Sequence, residues 1–361
     1  MVAAWVGSAN LGDELVHAAL RHKLSSRGVH ITALSTAPRS TEAIHGERSL
    51  AGRRVDQVAL AIARADLLVF GGGGLLQDET SALNLPLHLS RPLLARALRT
   101  PVVGVGLGAR GLTTRVGRRE VEMVLGTCPL GVRDAGSAAV LRPLVRRPPV
   151  LAADLAVSLP RPAMAPRDRL VVSLRPWAAG RSGRLLPVGL RRRHELEDWA
   201  VDGLATALDA SARLTGLAVH FVALQADRDH AVHEAVAARM RSPVTFARPG
   251  LTTILPELAS GRAVVSMRYH GGIGALLGGR PSVLVGYSPK VAGLAGDLGR
   301  AARFVELSSS SLSSIAASVA GLVEPAEGVD VVEDAYAALA AREAGNDRVL
   351  DDALDRLDRT R

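Results

Sequence analysis

Three cations near the C-terminal third are the residues of this chain whose chemistry stands out. Ser266-Met267-Arg268-Tyr269-His270-Gly271-Gly272 joins an apolar run to a segment that reads as the start of a helix. Arg268 and His270 are two apart, so on an extended segment they point to the same side. A histidine at a helix N-terminus has its cationic form disfavoured by the helix dipole unless an anion lies beside it. Val285-Gly286-Tyr287-Ser288-Pro289-Lys290 follows another apolar run and supplies the third cation. Three cations gathered at one edge suit a small, multiply charged anion. Composition singles out Lys290 further. The chain has 42 Arg and only two Lys, the other being Lys23 in an apparently ordinary helix. If position 290 required only positive charge, Arg would be expected there. An ammonium is a compact point charge, whereas guanidinium is a planar fork with longer reach.

Three further stretches place polar groups and glycines directly after apolar runs. Gly7-Ser8-Ala9-Asn10-Leu11-Gly12-Asp13-Glu14 offers backbone N–H groups to an anion or a sugar hydroxyl. Asn10 or Asp13 would equally serve as a helix cap. The spacing is not that of the dinucleotide fingerprint, and no acidic residue closes the next strand. Phe70-Gly71-Gly72-Gly73-Gly74-Leu75-Leu76-Gln77-Asp78 carries four glycines where one suffices for a tight turn, which favours close approach of a ligand to Gly72 and Gly73, with Gln77 and Asp78 at the same edge. In Val132-Arg133-Asp134-Ala135-Gly136-Ser137, Arg133 could hold a carboxylate or phosphate bidentately, or simply pair with Asp134 at the surface.

These stretches need elements to aim them. Val2–Val6, His30–Leu34, Leu67–Phe70, Val102–Val105 and Leu130–Val132 read as buried strands, with helical spacing at Glu14–Ser25, Arg53–Arg64 and Leu85–Leu98. The pattern pauses at Leu159–Arg169, where Pro160, Pro162 and Pro166 mark a linker. It resumes with strands at Leu170–Leu174, Ala218–Ala223, Val244–Phe246, Ala263–Ser266 and Ser282–Val285. Helices are expected at His194–Leu214, Arg228–Arg241, Thr252–Ser260 and Gly271–Leu277. Strands alternating with helices predict α/β architecture with parallel sheets. Two such halves, residues 1–160 and 161–325, should face a cleft, and the 326–361 segment is helical, chiefly Val331–Asp358, expected to pack back across the first domain. The serine cluster Ser308–Ser314 should start a helix. Ligands of open parallel sheets sit beyond the carboxyl ends of the strands, where all the motifs above fall.

Composition excludes several classes. Hydrophobic residues make up 48% and charged residues 22%, which describes a globular chain with substantial cores. The formal net charge of +9 favours anionic partners. A nucleic-acid partner would need a basic patch with aromatics or a known module, and neither is present. Arg191-Arg192-Arg193 reads as a solvated helix start. The single cysteine, Cys128, permits no disulfide framework or cysteine metal site and suits packing. No leader pattern and no run of about 18 apolar residues occurs, so a cytoplasmic protein is expected, with membrane contact at most peripheral at the inner face.

Taken together, the motifs resemble those of polysaccharide pyruvyl transferases, particularly the bacterial type that modifies secondary cell-wall polymer. The matching pieces are Asn10-Leu11-Gly12-Asp13-Glu14, Gly71–Gly74 with Leu75-Leu76-Gln77-Asp78, Val132-Arg133-Asp134 with Ser137, Ser173-Leu174-Arg175-Pro176-Trp177, Met267-Arg268-Tyr269-His270 and Tyr287-Ser288-Pro289-Lys290-Val291. They stand in the family's order between residues 7 and about 300. The first loop departs from the family, which has a longer, aromatic-containing turn there. The resemblance implies two Rossmann-like domains facing a cleft, as in the GT-B glycosyltransferases, the first on the acceptor side and the second on the donor side. It implies phosphoenolpyruvate as co-substrate, no metal or other cofactor, and a carbohydrate acceptor that a lipid carrier could bear. It assigns Arg133, Arg268, His270 and Lys290 to the donor, His270 and Asp13 to acid–base roles, and Asn10, Gly12, Gly72, Gly73, Gln77, Asp78 and Arg175 to the pocket. Two rivals share the sequence features: a glycosyltransferase using a nucleotide sugar, and a non-catalytic anion- or partner-binding module. The first usually wants a carboxylate for the ribose near residues 270–290, where the nearest is Asp297.

Overall fold

The computed structural model describes residues 1–79, 83–177, 196–324 and 330–359. Its first sheet has seven parallel strands: β1 (Val2–Val6), β2 (Thr32–Ser35), β3 (Arg48–Ala51), β4 (Leu68–Gly73), β5 (Val102–Leu107), β6 (Leu130–Val132) and β7 (Val150–Leu151), in the order β3-β2-β1-β4-β5-β6-β7. The second has six: β8 (Arg169–Ser173), β9 (Ala218–Val222), β10 (Val244–Ala247), β11 (Ala263–Ser266), β12 (Ser282–Gly286) and β13 (Ala302–Glu306), in the order β10-β9-β8-β11-β12-β13. Each sheet starts at its centre, winds outward one way, then returns to wind the other. The switch points lie between β1 and β4 and between β8 and β11, where loops diverge above the carboxyl edge and leave a crevice.

The strands are Val-, Leu- and Ala-rich because both faces are covered. Helices Val55–Ala63, Asn84–Ala97 and Arg115–Leu125 bury Ile62, Leu89 and Val121 on one side of the first sheet. On the other side, one apolar cluster runs from Leu20 through Leu339 and Leu350 of the C-terminal helix to Ile273 and Leu294 of the second domain. That helix, Val331–Asp358, spans 28 residues and is capped by Asp330, whose carboxylate accepts from Val332 N and Glu333 N. It packs back on the first domain as expected: Asn346, fully buried, accepts from Gly106 N at 2.8 Å and donates to Ala153 O at 3.0 Å. Among the described residues no helix is long and apolar enough to cross a membrane.

Three strands escaped the sequence reading. β3 is a four-residue edge strand containing Arg48, β7 has two residues, and β13 carries Arg303 and Glu306. The second-domain helix expected from His194 is seen as Asp198–Thr215, and Arg191–Arg193 and His194 lie outside the described residues. The serine cluster leads into helix Ser314–Val323.

Candidate active site

The carboxyl edges of the two sheets meet around one small pocket. From the first domain it is lined by Asn10, Asp13, Gly74 and Arg133; from the second by Arg175, Leu224, Arg268, Tyr269, His270 and Lys290. Its free volume is about 70 Å³. That is the scale of a small anion's charged groups and well below the roughly 300–1,000 Å³ of pockets for larger ligands. A larger hollow, about 840 Å³, lies at the opposite, amino-terminal edge of the first sheet, beside Met1, Arg48 and Asp66, away from the motifs.

Each wall residue is placed by the end of a strand. Asn10 caps helix Leu11–Ser25 by accepting from Gly12 N at 3.2 Å, and its amide donates to Asp13 Oδ2 at 2.6 Å. Asn10 thus caps the helix and also lines the pocket. Burial pushes the Asp13 carboxyl above its ordinary value, with His270, the Asn10 hydrogen bond, Lys290 and Arg268 pulling the other way. Leu11 N donates to Leu224 O at 2.8 Å, a backbone bond from one domain to the other.

His270 opens helix Tyr269–Leu277 and is 8% exposed. Its Nε2 lies 3.5 Å from Asp154 Oδ1. Its Nδ1 lies against Gly12, where an added Cβ would come within 2.3 Å of it. Gly12 is therefore needed for close approach of the imidazole. Asp154 is buried and also accepts from Arg133 Nη1 at 3.2 Å and Ala156 N at 3.1 Å. Burial alone would raise the Asp154 carboxyl, but His270 and Arg133 hold it down to about 2. It stays ionised and places a negative charge beside the His270 imidazole.

The cations differ in how free they are. Arg268 is committed: its Nε donates to Asp229 Oδ2 at 3.1 Å and its Nη2 to Asp229 Oδ1. The same carboxylate accepts from Leu224 N and Gln225 N. Arg268 contributes its field to the pocket while Asp229 fixes its position. Arg133 packs over the Tyr269 ring, 4.2 Å from its centroid, and its buried Nε makes no hydrogen bond, lying 3.7 Å from Asp134 Oδ2 in an ion pair. The pairing of Arg133 with Asp134 that the sequence allowed is thus present, but it is buried and not at the surface. Both are buried, and Asp134 caps the next helix through Ser137 N and accepts from Arg110 Nε at 2.7 Å. Arg175 Nε is likewise buried and makes no hydrogen bond, with its guanidinium 5.4 Å from the Tyr287 ring centroid. Lys290 has no hydrogen bond or ion pair among the described residues; burial lowers its ammonium below the usual value, opposed by Tyr287 and reinforced by Arg175 and Arg133. Buried N–H groups that make no hydrogen bond beside such a cluster suit an anionic ligand.

Three sequence assignments to the pocket do not hold. Gly72 faces the core, where an added Cβ would lie 2.5 Å from Val16 and 2.7 Å from Leu155. Only Gly73, with φ of +87°, and Gly74 turn toward the site. Asp78 is a clamp for a neighbouring loop: it accepts from Thr113 N, Thr113 Oγ1, Thr114 N and Thr114 Oγ1. Gln77 packs against Gly111 outside the pocket lining. Conversely, Asp154, Asp229, Leu224 and Tyr269 were not singled out by the sequence. Tyr269 had a visible signal, lying between Arg268 and His270; the two aspartates belong to no motif. Among the described residues no group of three or more His, Cys, Asp or Glu is disposed to hold a metal. Cys128 is buried.

The comparisons with known proteins agree with this architecture. The family model of polysaccharide pyruvyl transferases matches residues 10–289, well over half the chain. No curated sequence relative matches. Among solved structures, the chain is similar to a putative UDP-N-acetylglucosamine 2-epimerase from Listeria monocytogenes (TM-score 0.60, 12% identity, covering 93% of this chain and 92% of that one). It is also similar to S. aureus MnaA in complex with UDP (TM-score 0.61, 10% identity, 94% and 92%). The calicheamicin glycosyltransferase CalG4 matches over 99% of this chain and 98% of its own, with TM-score 0.54 and 15% identity. At these identities the likeness shows the fold: two parallel-sheet α/β domains of the GT-B kind with a C-terminal helix.

Proposed function

This chain belongs to the polysaccharide pyruvyl transferase family, and we propose that it moves the pyruvyl group of phosphoenolpyruvate onto a sugar of a cell-surface polysaccharide or its lipid-linked precursor. The observation that carries the reading is the pocket itself: Arg133, Arg175, Arg268, His270 and Lys290 converge on about 70 Å³, with Lys290 unpaired among the described residues and Arg133 and Arg175 each keeping a buried Nε that makes no hydrogen bond. A small molecule bearing a carboxylate and a phosphate suits such a site. Lys290, Arg133 and Arg175 would bind the donor's two anionic groups, with Arg268 held by Asp229 behind them.

The chemistry follows from an enol phosphate. Protonation of the methylene carbon makes a methyl group and leaves the adjacent carbon cationic. A sugar hydroxyl attacks that carbon, losing its proton to a base. The carbon–oxygen bond to phosphate then breaks, and a second hydroxyl closes the ketal, its proton balancing the one delivered to carbon. His270 is the candidate acid, steadied on Nε2 by Asp154 with Nδ1 at the Gly12 side of the pocket. Asp13 is the candidate base. Its carboxylate shares the pocket with the acid, and its raised value makes it a stronger base than an ordinary carboxylate. A nucleotide-sugar reading has less support, because Asp297, the nearest carboxylate in that sequence region, is tied to Arg342 Nη1 at 2.7 Å.

The test is direct. Phosphoenolpyruvate should raise the melting temperature, whereas nucleoside diphosphate sugars should not. His270→Ala should lower transfer by about 10²–10⁴-fold without unfolding the protein. Stabilisation by a nucleotide sugar alone, or a loss of less than about tenfold in His270→Ala, would overturn the assignment.

A further inference from the structure

The outer surface of three first-domain helices is both apolar and cationic. Val55–Ala63, Asn84–Ala97 and Arg115–Leu125 lie side by side over one face of the first sheet. Among the described residues thirteen large apolar side chains are exposed, and eight of these lie on the three helices or the two caps of the second. On Arg115–Leu125, Val116 (70% exposed), Arg119 and Met123 (63%) recur at i, i+3 and i+7 and form one outward stripe. On the neighbouring helix, Leu87 and Leu98 stand three turns apart on a common face, with Leu93 exposed between them. Arg96 ties the two helix ends together by donating to Met123 O at 2.6 Å and Val124 O at 2.7 Å. Residues 53–66, 83–99 and 115–125 hold nine arginines against four carboxylates, which is more than half of the chain's net positive charge.

We propose that this face docks on an anionic lipid bilayer. Separate apolar side chains among long cationic ones match a headgroup boundary: the apolar groups enter the acyl margin while arginine stems lie flat and their heads meet phosphates. A protein partner would call for a continuous apolar centre with the charge at its rim. The helices also begin at the sheet's carboxyl edge, so Arg115 and Val116 stand on the pocket's side of the domain. A sugar carried on lipid would rise beside them into the cleft. This last step rests on the proposed acceptor; the docking does not.

The experiment is sedimentation of the full chain with phosphatidylcholine vesicles, with and without phosphatidylglycerol, alongside phosphoenolpyruvate binding by thermal shift. The wild type should bind the anionic vesicles at low ionic strength, lose them in high salt and ignore the neutral ones. Val116→Glu with Met123→Glu, and separately Arg118→Glu with Arg119→Glu, should weaken binding about tenfold or more at unchanged melting temperature and donor binding. Absence of wild-type binding, or equal binding by both variants, would overturn the proposal. So would a concentration-dependent dimer abolished by the apolar variant, which would make the face a self-interface. Donor binding is read separately, so failure of the transferase assignment and failure of the docking are distinguishable.

Discussion

At the scale of single residues, burial decides what each charged group can do. Asp13 is less comfortable ionised in the folded protein than in water, so its folded value lies above the unfolded one. Such a group costs nothing below the unfolded value, about 3.9, and costs stability as pH rises through the folded value. Asp13→Asn should therefore melt higher than wild type at pH 8 and equally at pH 4, while losing about 10²–10⁴-fold of its turnover. A base must be ionised, so the acid limb of wild-type activity should lie above the ordinary carboxylate range; a limb at or below 4 would remove Asp13 from that role. The two lysines make a second test. Lys23, which looked ordinary in the sequence, is buried and bridges Glu343 at 2.8 Å and Asp347 at 2.7 Å on the C-terminal helix. In a chain that otherwise uses arginine, both lysines thus stand in confined places where a compact charge fits. Lys290→Arg should raise the KM for phosphoenolpyruvate nearly as much as Lys290→Ala. Lys23→Arg should leave kcat/KM alone and lower stability by roughly 1–3 kcal/mol. Wild-type donor kinetics in Lys290→Arg would end the ammonium argument.

At the scale of elements, the strand ends and the helix starts do the positioning, and they were the most legible part of the sequence. Apolar runs such as Val102–Leu107 and Ala263–Ser266 are buried on both faces and announce themselves. β3, β7 and β13 did not, because edge strands are short and carry charges that blur the pattern. The same physics separates the glycines. Gly72 and Gly73 read alike as ligand contacts, yet Gly72 is small to admit Val16 and Leu155. Asp154 and Asp229 could not be found, since their partners His270 and Arg268 are supplied by chain folding and not by neighbouring sequence. Gly12 tests how tightly the elements meet. Its backbone is helical and would accept alanine, but the new Cβ would lie 2.3 Å from His270 Nδ1. Gly12→Ala should preserve the fold, shift the imidazole and cut kcat by at least about tenfold. A fully active Gly12→Ala would show that the contact opens during catalysis.

At the scale of the whole molecule, the site exists only where two domains touch. The first supplies Asn10, Asp13, Gly74 and Arg133, and the second supplies the remaining cations, His270 and Tyr269. The C-terminal helix holds both: Arg342 donates to Arg133 O and Ala152 O in the first domain and pairs with Asp297 in the second. A pocket of about 70 Å³ lined by residues from both sides is expected to load its ligand as the halves part. Four cations crowd it, so without an anion they repel one another and favour parting; a bound dianion reverses the sign. The backbone bond from Leu11 N to Leu224 O reports that motion, because it spans the cleft. Hydrogen exchange should find the Leu11 amide poorly protected in the free protein and slowed by about a hundredfold at phosphoenolpyruvate concentrations near 100 times the Kd, equivalent to about 2.7 kcal/mol. Leu20, at the buried middle of the same helix, should change little by comparison. If Leu11 is equally protected with and without phosphoenolpyruvate, the two halves are locked together by the C-terminal helix alone, and the donor enters a site that is already closed.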